Sequence, residues 1–302
     1  MSGFTSIDLS KLPAPEVIKT PEYEALLAEM KATAVEFMPD LASFLELESE
    51  PATKILRVCA YHRALDRLEF NDGARANMLA LSSGADLENL SALWGVGRLV
   101  MQAADASVDP PIPEIKESDE AFRARVQLSL EGRSTAGPRG AYLFWTLSAS
   151  GQVKDAHVAN DGNGQIFVTV LSHEGDGTPS EVLLNTVQTA LNKEDIRPLS
   201  DTVFVQAPSV LTYEVEAELT LYEGPGEAQV LEAAEEVLER YIQDHHRLGH
   251  DITISGLHAV LHQPGVQKVT LTKPAQDVVV AANEVAYCTS DAIAVLIGGR
   301  DV

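Results

Sequence analysis

The sequence predicts an α+β protein: an N-terminal helical bundle arm followed by two small α+β domains of split-βαβ type. Three observations carry that prediction. Through residues 21–94 the apolar positions recur every three to four residues, the period of a helix face. From residue 152 onward the period shortens to two and alternates with helical segments. The composition, 45% hydrophobic and 22% charged in 302 residues, is that of a chain with a packed interior. The boundaries read from these shifts are 1–102 for the arm, 103–118 for a Pro-rich linker, 119–207 for the first α+β domain and 208–302 for the second.

After a lead containing Pro13 and Pro15, Thr20 and Pro21 are read as the N-cap and first position of a helix. Its stripe is Tyr23, Leu26, Leu27, Met30, Ala34, Phe37 and Met38, and Pro39 stops it. A short helical run spans Leu41–Leu47. A longer one begins at Ala52 with Ile55, Val58, Cys59, His62 and Leu65 on one face, and is expected to break at Asn71-Asp72-Gly73. Gly84 is read as a helix C-cap, and Asp86–Trp94 as a short helix ended by Gly95. Asp109, Pro110, Pro111 and Pro113 make 103–118 extended and stiff.

A helix is expected over Asp119–Glu131 with Ser118 as N-cap and the apolar Phe122, Val126 and Leu130 spaced four apart, then a loop through Ser134–Gly137, then an apolar helix over Ala141–Ala149. Two strands, Gln152–Ala159 and Gln165–Ser172, flank the turn Asn160–Gly164. Thr178-Pro179 starts a helix to Asn192, and Val203–Ala207 is a strand. Beyond Pro208, Val210–Tyr222 reads as one long strand with Leu211, Tyr213, Val215, Ala217, Leu219 and Leu221 facing a core. Helices at 226–246 and Ser255–Leu261, a strand at Val266–Thr272 and short strands ending at Ile293–Ile297 complete the chain.

The net charge is −23, from 22 bases and 45 acids. Bulk electrostatic binding to nucleic acid or to an anionic membrane is therefore excluded, because both depend on Lys and Arg. Residues 1–50 carry ten acids and three bases, and residues 201–250 carry eleven and two, whereas 51–100 are balanced at five and six. A balanced helical stretch inside an acidic chain is a natural docking place for a partner. No run approaches the length of a membrane span, and the N-terminal stretch has no apolar signal core. The expectation is a protein assembled in a cytoplasm, with Cys59 and Cys288 as reduced thiols.

Candidate chemistry is sparse. His246 and His250, like His258 and His262, are four apart, the spacing that aligns two zinc ligands on a helix. Arg247 occupies the position where a zinc protease carries its Glu, and Gly249 interrupts the first pair. Glu227, Glu232, Glu235, Glu236 and Glu239 read as a solvated helix face, and no phosphate-binding or nucleophile motif is present. The sequence predicts no catalytic residues, no cofactor and no metal. The alternatives are a zinc-dependent hydrolase built on the 246–262 histidines and an acidic adaptor for a basic protein.

Three segments, in order, resemble the baseplate J-like family of contractile-tailed phages and R-type tailocins: ARANMLALSSGADLENLSALWGV (Ala74–Val96), DEAFRARVQLSLEGRSTAGPRGAYLFWTLSASGQVKDAHV (Asp119–Val158) and GHDITISGLHAVLHQPGVQKVTLTKP (Gly249–Pro274). The resemblance implies a structural wedge component. Two copies would pair with one smaller wedge protein through a shared helical bundle, the α+β domains would meet neighbouring wedges, and sheath-initiator or hub-proximal proteins would lie close by. Six wedges would form a ring that holds the sheath and passes on the contraction trigger. Under that reading the bundle interface falls on Tyr23, Leu26, Leu27, Met30, Phe37, Ile55, Val58, Cys59, His62 and Leu65.

Overall fold

The computed structural model describes residues 7–13, 15–134, 136–224 and 226–300. Residues 1–6 of the predicted arm, Thr135 of the predicted loop and residues 301–302 of the predicted second domain lie outside the described residues. The fold is α+β, with helices first and several small sheets after them. The chain divides into two compact units, one of residues 1–97 with 119–126, the other of 98–118 with 127–302.

The first unit is helical. Helix α1 (Tyr23–Phe37) starts two residues after the predicted position, with Glu22 and not Thr20 in the cap position. Pro39 ends it as expected, but the predicted Leu41–Leu47 helix is a 3-10 turn at Pro39–Leu41 followed by turns. Helix α2 (Pro51–Ala76) places Pro51 in its first turn, where a missing N–H costs nothing. It runs straight through Asn71-Asp72-Gly73.

The reason is a partner 52 residues away. The buried Asn71 amide donates from Nδ2 to the Lys19 carbonyl (2.8 Å), and its Oδ1 accepts from the Lys19 N–H (3.3 Å). Arg67 Nη2 adds a bond to the Val17 carbonyl (2.7 Å). The side chain therefore copies a strand's pairing and straps the lead onto α2. Asn71→Ala is expected to cost about 1–3 kcal/mol by leaving these groups unpaired; a drop in the urea midpoint of the full chain, with earlier proteolysis before Pro21, checks it.

Gly84 opens helix α3 (Gly84–Ser91) and caps nothing before it, because α2 has already ended at Ala76. Its N–H, one of the donors that a helix start cannot pair within the helix, donates to Asp119 Oδ2 (3.0 Å). A 3-10 turn, Ala92–Trp94, then ends at Gly95, whose φ of 68° is the left-handed cap the sequence predicted. Helix α4 (Asp119–Gly132) contributes its first eight residues to this unit. Arg123 holds the carbonyls of Leu79 (2.7 Å) and Ser82 (2.6 Å).

Phe122 and Val126 are buried, but Leu130 is exposed. A spacing of four drifts about 40° per step around a helix of 3.6 residues per turn. The inward stripe runs instead through Phe122, Arg125, Val126 and Ser129.

In the second unit the Pro-rich stretch returns on itself and is not extended. Strand β1 (Val100–Gln102) pairs antiparallel with β2 (Ile115–Lys116), and Asp105 bridges to Ile112. Helix α5 (Arg139–Ala149) leads into β3 (Val153–Asn160) and β4 (Gln165–Ser172), an antiparallel pair with the predicted turn between them. Helix α6 (Glu181–Leu191) is capped by Ser180, which accepts from the Leu183 N–H (3.2 Å), two residues later than the predicted Thr178. It returns the chain to β5 (Thr202–Gln206), parallel to β4. Val158, Ile166, Val168 and Val203 form one core with Tyr142 of α5 and Leu183, Val187 and Leu191 of α6.

The predicted long strand is two strands. Strand β6 (Ser209–Thr212) pairs with β9 (Glu284–Tyr287), while β7 (Val215–Leu221) lies between β10 (Ile293–Arg300), parallel, and β8 (Val266–Lys273), antiparallel. The burial alternation survives the break: Tyr213, Val215, Ala217, Leu219 and Leu221 are all buried. Only the hydrogen-bond partners change, where Tyr213 N–H donates to the Tyr287 carbonyl. Helices α7 (Glu227–His245) and α8 (Ile254–Leu261) cover this sheet with Ala234, Leu238, Leu257 and Leu261.

Candidate assembly surface

The first unit is built so that one face of α2 is used and another is not. Ala60 is fully buried, Leu56 and Ala64 half-buried, and α1 packs against this side. Small residues let the two helices approach. From α1, Leu27 is buried, and Tyr23, Leu26 and Met30 are half-buried. Of the α1 positions in the predicted interface only Leu27 is thus committed to the chain's own interior, and Phe37, at the helix end, is 80% exposed.

The α2 part lies open. Ile55 is 63% exposed, Val58 57% and Leu65 37%, and Cys59 and His62 are exposed with them. Positions 55, 58, 62 and 65 repeat at three, four and three residues, the a and d spacing of a coiled-coil seam. The structure adds residues that the sequence reading did not single out: Tyr61, Leu68 and Phe70 beside the seam, and Phe44 and Leu47 in the turn before α2, all exposed. The signal was present in the helical spacing of 61, 65 and 68. A contiguous apolar helix face left to water is the mark of an interaction site.

Local order supports the face. Arg57 Nη2 meets Glu48 Oε1 at 2.8 Å, tying the turn to α2, and the Arg67 guanidinium lies 5.0 Å from the Phe70 ring centre. Tyr61 and His62 rings meet edge to face, 5.7 Å between centres. These exposed contacts orient side chains more than they stabilise the fold.

Elsewhere, chemistry finds little footing. Helix α7 ends at His245, so His246 and His250 do not share a helix face. His245 bonds the Tyr241 carbonyl (2.9 Å), and both ring nitrogens of His246 are engaged by other protein groups. Among the described residues no group of three or more His, Cys, Asp or Glu side chains is placed to hold a metal ion. No helix among them is long and apolar enough to cross a membrane. Glu232, Glu235, Glu236 and Glu239 are exposed along α7, as the sequence predicted.

Comparison with known proteins matches three family models in order along the chain. The Baseplate J-like N-terminal domain covers residues 48–105, the Baseplate J-like central domain 134–207 and the Baseplate J-like protein C-terminal domain 213–292. Baseplate protein J of Escherichia phage P2 is 42% identical over 300 residues, spanning 98% of this chain and 99% of that protein. Among solved structures, a chain of the anti-feeding prophage (AFP) baseplate, 6-fold symmetrised, aligns with a TM-score of 0.39 at 12% identity. That alignment covers 60% of this chain and 46% of the other. The first family match contains the whole exposed seam of α2.

Proposed function

The chain belongs to the Baseplate J-like family, whose members are wedge components of contractile-tail baseplates, and we propose that its α2 seam is the surface through which it enters that assembly. Wedge proteins form multimers with other baseplate components. The observation that carries the reading is the heptad face of Ile55, Val58, His62 and Leu65, open to water, whereas α7 and α8 bury their apolar stripes against a sheet. A second copy of the chain and one smaller wedge protein would supply the facing helices.

In the same reading, residues 1–102 are the arm, 103–118 the connection, and 119–207 and 208–302 two split-βαβ-like domains that reach neighbouring wedges. Six wedges would surround the hub, hold the sheath extended and pass on the trigger. Assembly would take place in the cytoplasm of a bacterial host. The seam is apolar, so the complex should survive high salt, where surface ion pairs are screened.

Co-expression with the neighbouring tail proteins, followed by native mass measurement, tests the proposal. Two copies of this chain with one smaller protein is the expected stoichiometry, and a lone monomer in the presence of every tail protein overturns it. Thiol labelling provides a second readout. Cys59 is exposed, while Cys288 is buried and burial pushes its thiol up to about 11. The isolated chain should therefore show one fast thiol, Cys59, which becomes protected in the complex.

A further inference from the structure

Within the second unit, the half built on β3–β5 meets the half built on β6–β10 at a small joint. Its apolar part is Leu171 at the end of β4, with Leu248, Val285 of β9 and Val210 of β6. Its polar part has two anchors. Asp155 of β3 accepts the Leu248 N–H (3.1 Å). Next to it, Lys154 Nζ lies 2.9 Å from His246 Nδ1, and His246 Nε2 lies 3.2 Å from the Asp176 carbonyl in the loop between β4 and α6.

With Lys154 in its ammonium form, these bonds set the imidazole's tautomer. Nδ1 accepts from an ammonium and so carries no proton; Nε2 faces a carbonyl and so carries one. The ring is neutral, and the only place for a second proton points at Lys154. Gly177, with φ 91°, closes over the ring, and a Cβ there would lie 3.2 Å from Cε1 and Nε2. Tyr287 of β9 stands on another side, 5.5 Å between ring centres.

We propose that Lys154, His246 and the Asp176 carbonyl form a clasp between the two α+β halves, closed while His246 is neutral and opened when it takes a proton, with Leu248 on Asp155 and the apolar cluster remaining as the pivot. This inference goes beyond the assembly reading and does not depend on it. Protonation at Nδ1 removes the acceptor and sets two cations at 2.9 Å.

The surrounding charges agree in part. Burial, then the Lys154 charge, hold the His246 pKa below its ordinary value, and the bond to the Asp176 carbonyl and the Asp176 charge counter this more weakly. His173, on the same loop as Asp176, is lowered by burial, then by Lys154 and His246. Burial, then the Arg247 charge, lower the Lys154 pKa, and the Asp155 and Asp244 charges oppose this. Asp155 has the opposite sign: burial raises its carboxyl, so acid relieves its cost, and a protonated carboxyl still accepts from Leu248.

A histidine whose folded pKa is depressed gives stability that is present above its unfolded pKa and lost as pH falls below about 6.5. Each further pH unit, down to the folded pKa, favours the open clasp by about tenfold.

The test is hydrogen exchange on the full chain at pH 7.5 and 5.5, expressed as protection factors. Acid should cut protection at 173–178 and 245–247 by about tenfold, with the Leu248 amide and β4 unchanged. His246→Gln, which can give and take both bonds without titrating, should make the protection independent of pH. Lys154→Met should raise the His246 pKa read by NMR. Three results overturn the proposal: an ordinary His246 pKa, the same acid loss in His246→Gln, or simultaneous loss of protection at Leu248 and throughout β4.

Discussion

Replacing Ile55, Val58 and Leu65 together by glutamate is expected to abolish assembly while the isolated chain keeps its fold. All three side chains are more exposed than buried-core residues ever are, and surface substitutions usually change stability by no more than about 0.5 kcal/mol each. In a closed seam, each would bury an aliphatic side chain, and burial stabilises by about 1.5–3 kcal/mol per residue. Because the three are only 37–63% exposed in the isolated chain, about half of the sum over them is at stake, about 2–5 kcal/mol, which weakens association at least about fiftyfold at about 1.4 kcal/mol per tenfold. Three carboxylates in an apolar seam cost more still. Circular dichroism and the urea midpoint should match the parent chain, while native mass measurement finds no complex. Normal assembly of the triple variant would move the interface away from α2.

The largest effect on stability is expected from Leu219→Ala. Leu219 is fully buried on β7, the middle strand of its sheet, opposite Val269 of β8 and Ile297 of β10. It lies in the same core as Leu238 of α7 and Leu257 and Leu261 of α8. Truncation leaves a cavity that neighbours on both edges and above cannot fill, and such changes cost about 2–5 kcal/mol. That is a large fraction of the roughly 5–15 kcal/mol that holds a typical domain. Unfolding should begin in residues 209–300, and exchange of β3–β5 should respond less. A Leu219→Ala chain as stable as the parent would mean that this core relaxes freely.

Much of this is legible in the amino-acid sequence alone. Strand β4 begins and ends where the alternation of Gln165–Ser172 placed it, and α7 is within a residue of its predicted bounds. The α2 seam was legible because a three-four spacing needs only local sequence. What failed depended on distant partners. Asn71 looked like a helix breaker because its bond to Lys19 is invisible locally. The break at Tyr213-Glu214 was hidden because burial alternates through it while the pairing changes sheets. The ribbon at 100–116 was masked by its prolines, which suggested a rod. An apolar stripe also does not say whose interior it joins: α1 spends Leu27 within the chain, and α2 does not spend Ile55.

The parallel pairing of β10 with β7 bears on the order in which the chain can fold. Val215 and Ile293 are neighbours in the ladder but lie on either side of α7, α8, β8 and β9 in the sequence. The hairpin β3–β4, in contrast, closes over a four-residue turn, and β5 follows after a single helix. Non-local parallel pairs form late, because the loop must be closed before any contact repays it. During synthesis the 153–206 sheet can therefore be complete while β7 still waits with an open edge. That edge attracts other strands. The growing chain is exposed to misassembly until residues 293–300 leave the ribosome, and the run of acids between 214 and 239 supplies like-charge repulsion between copies during that interval.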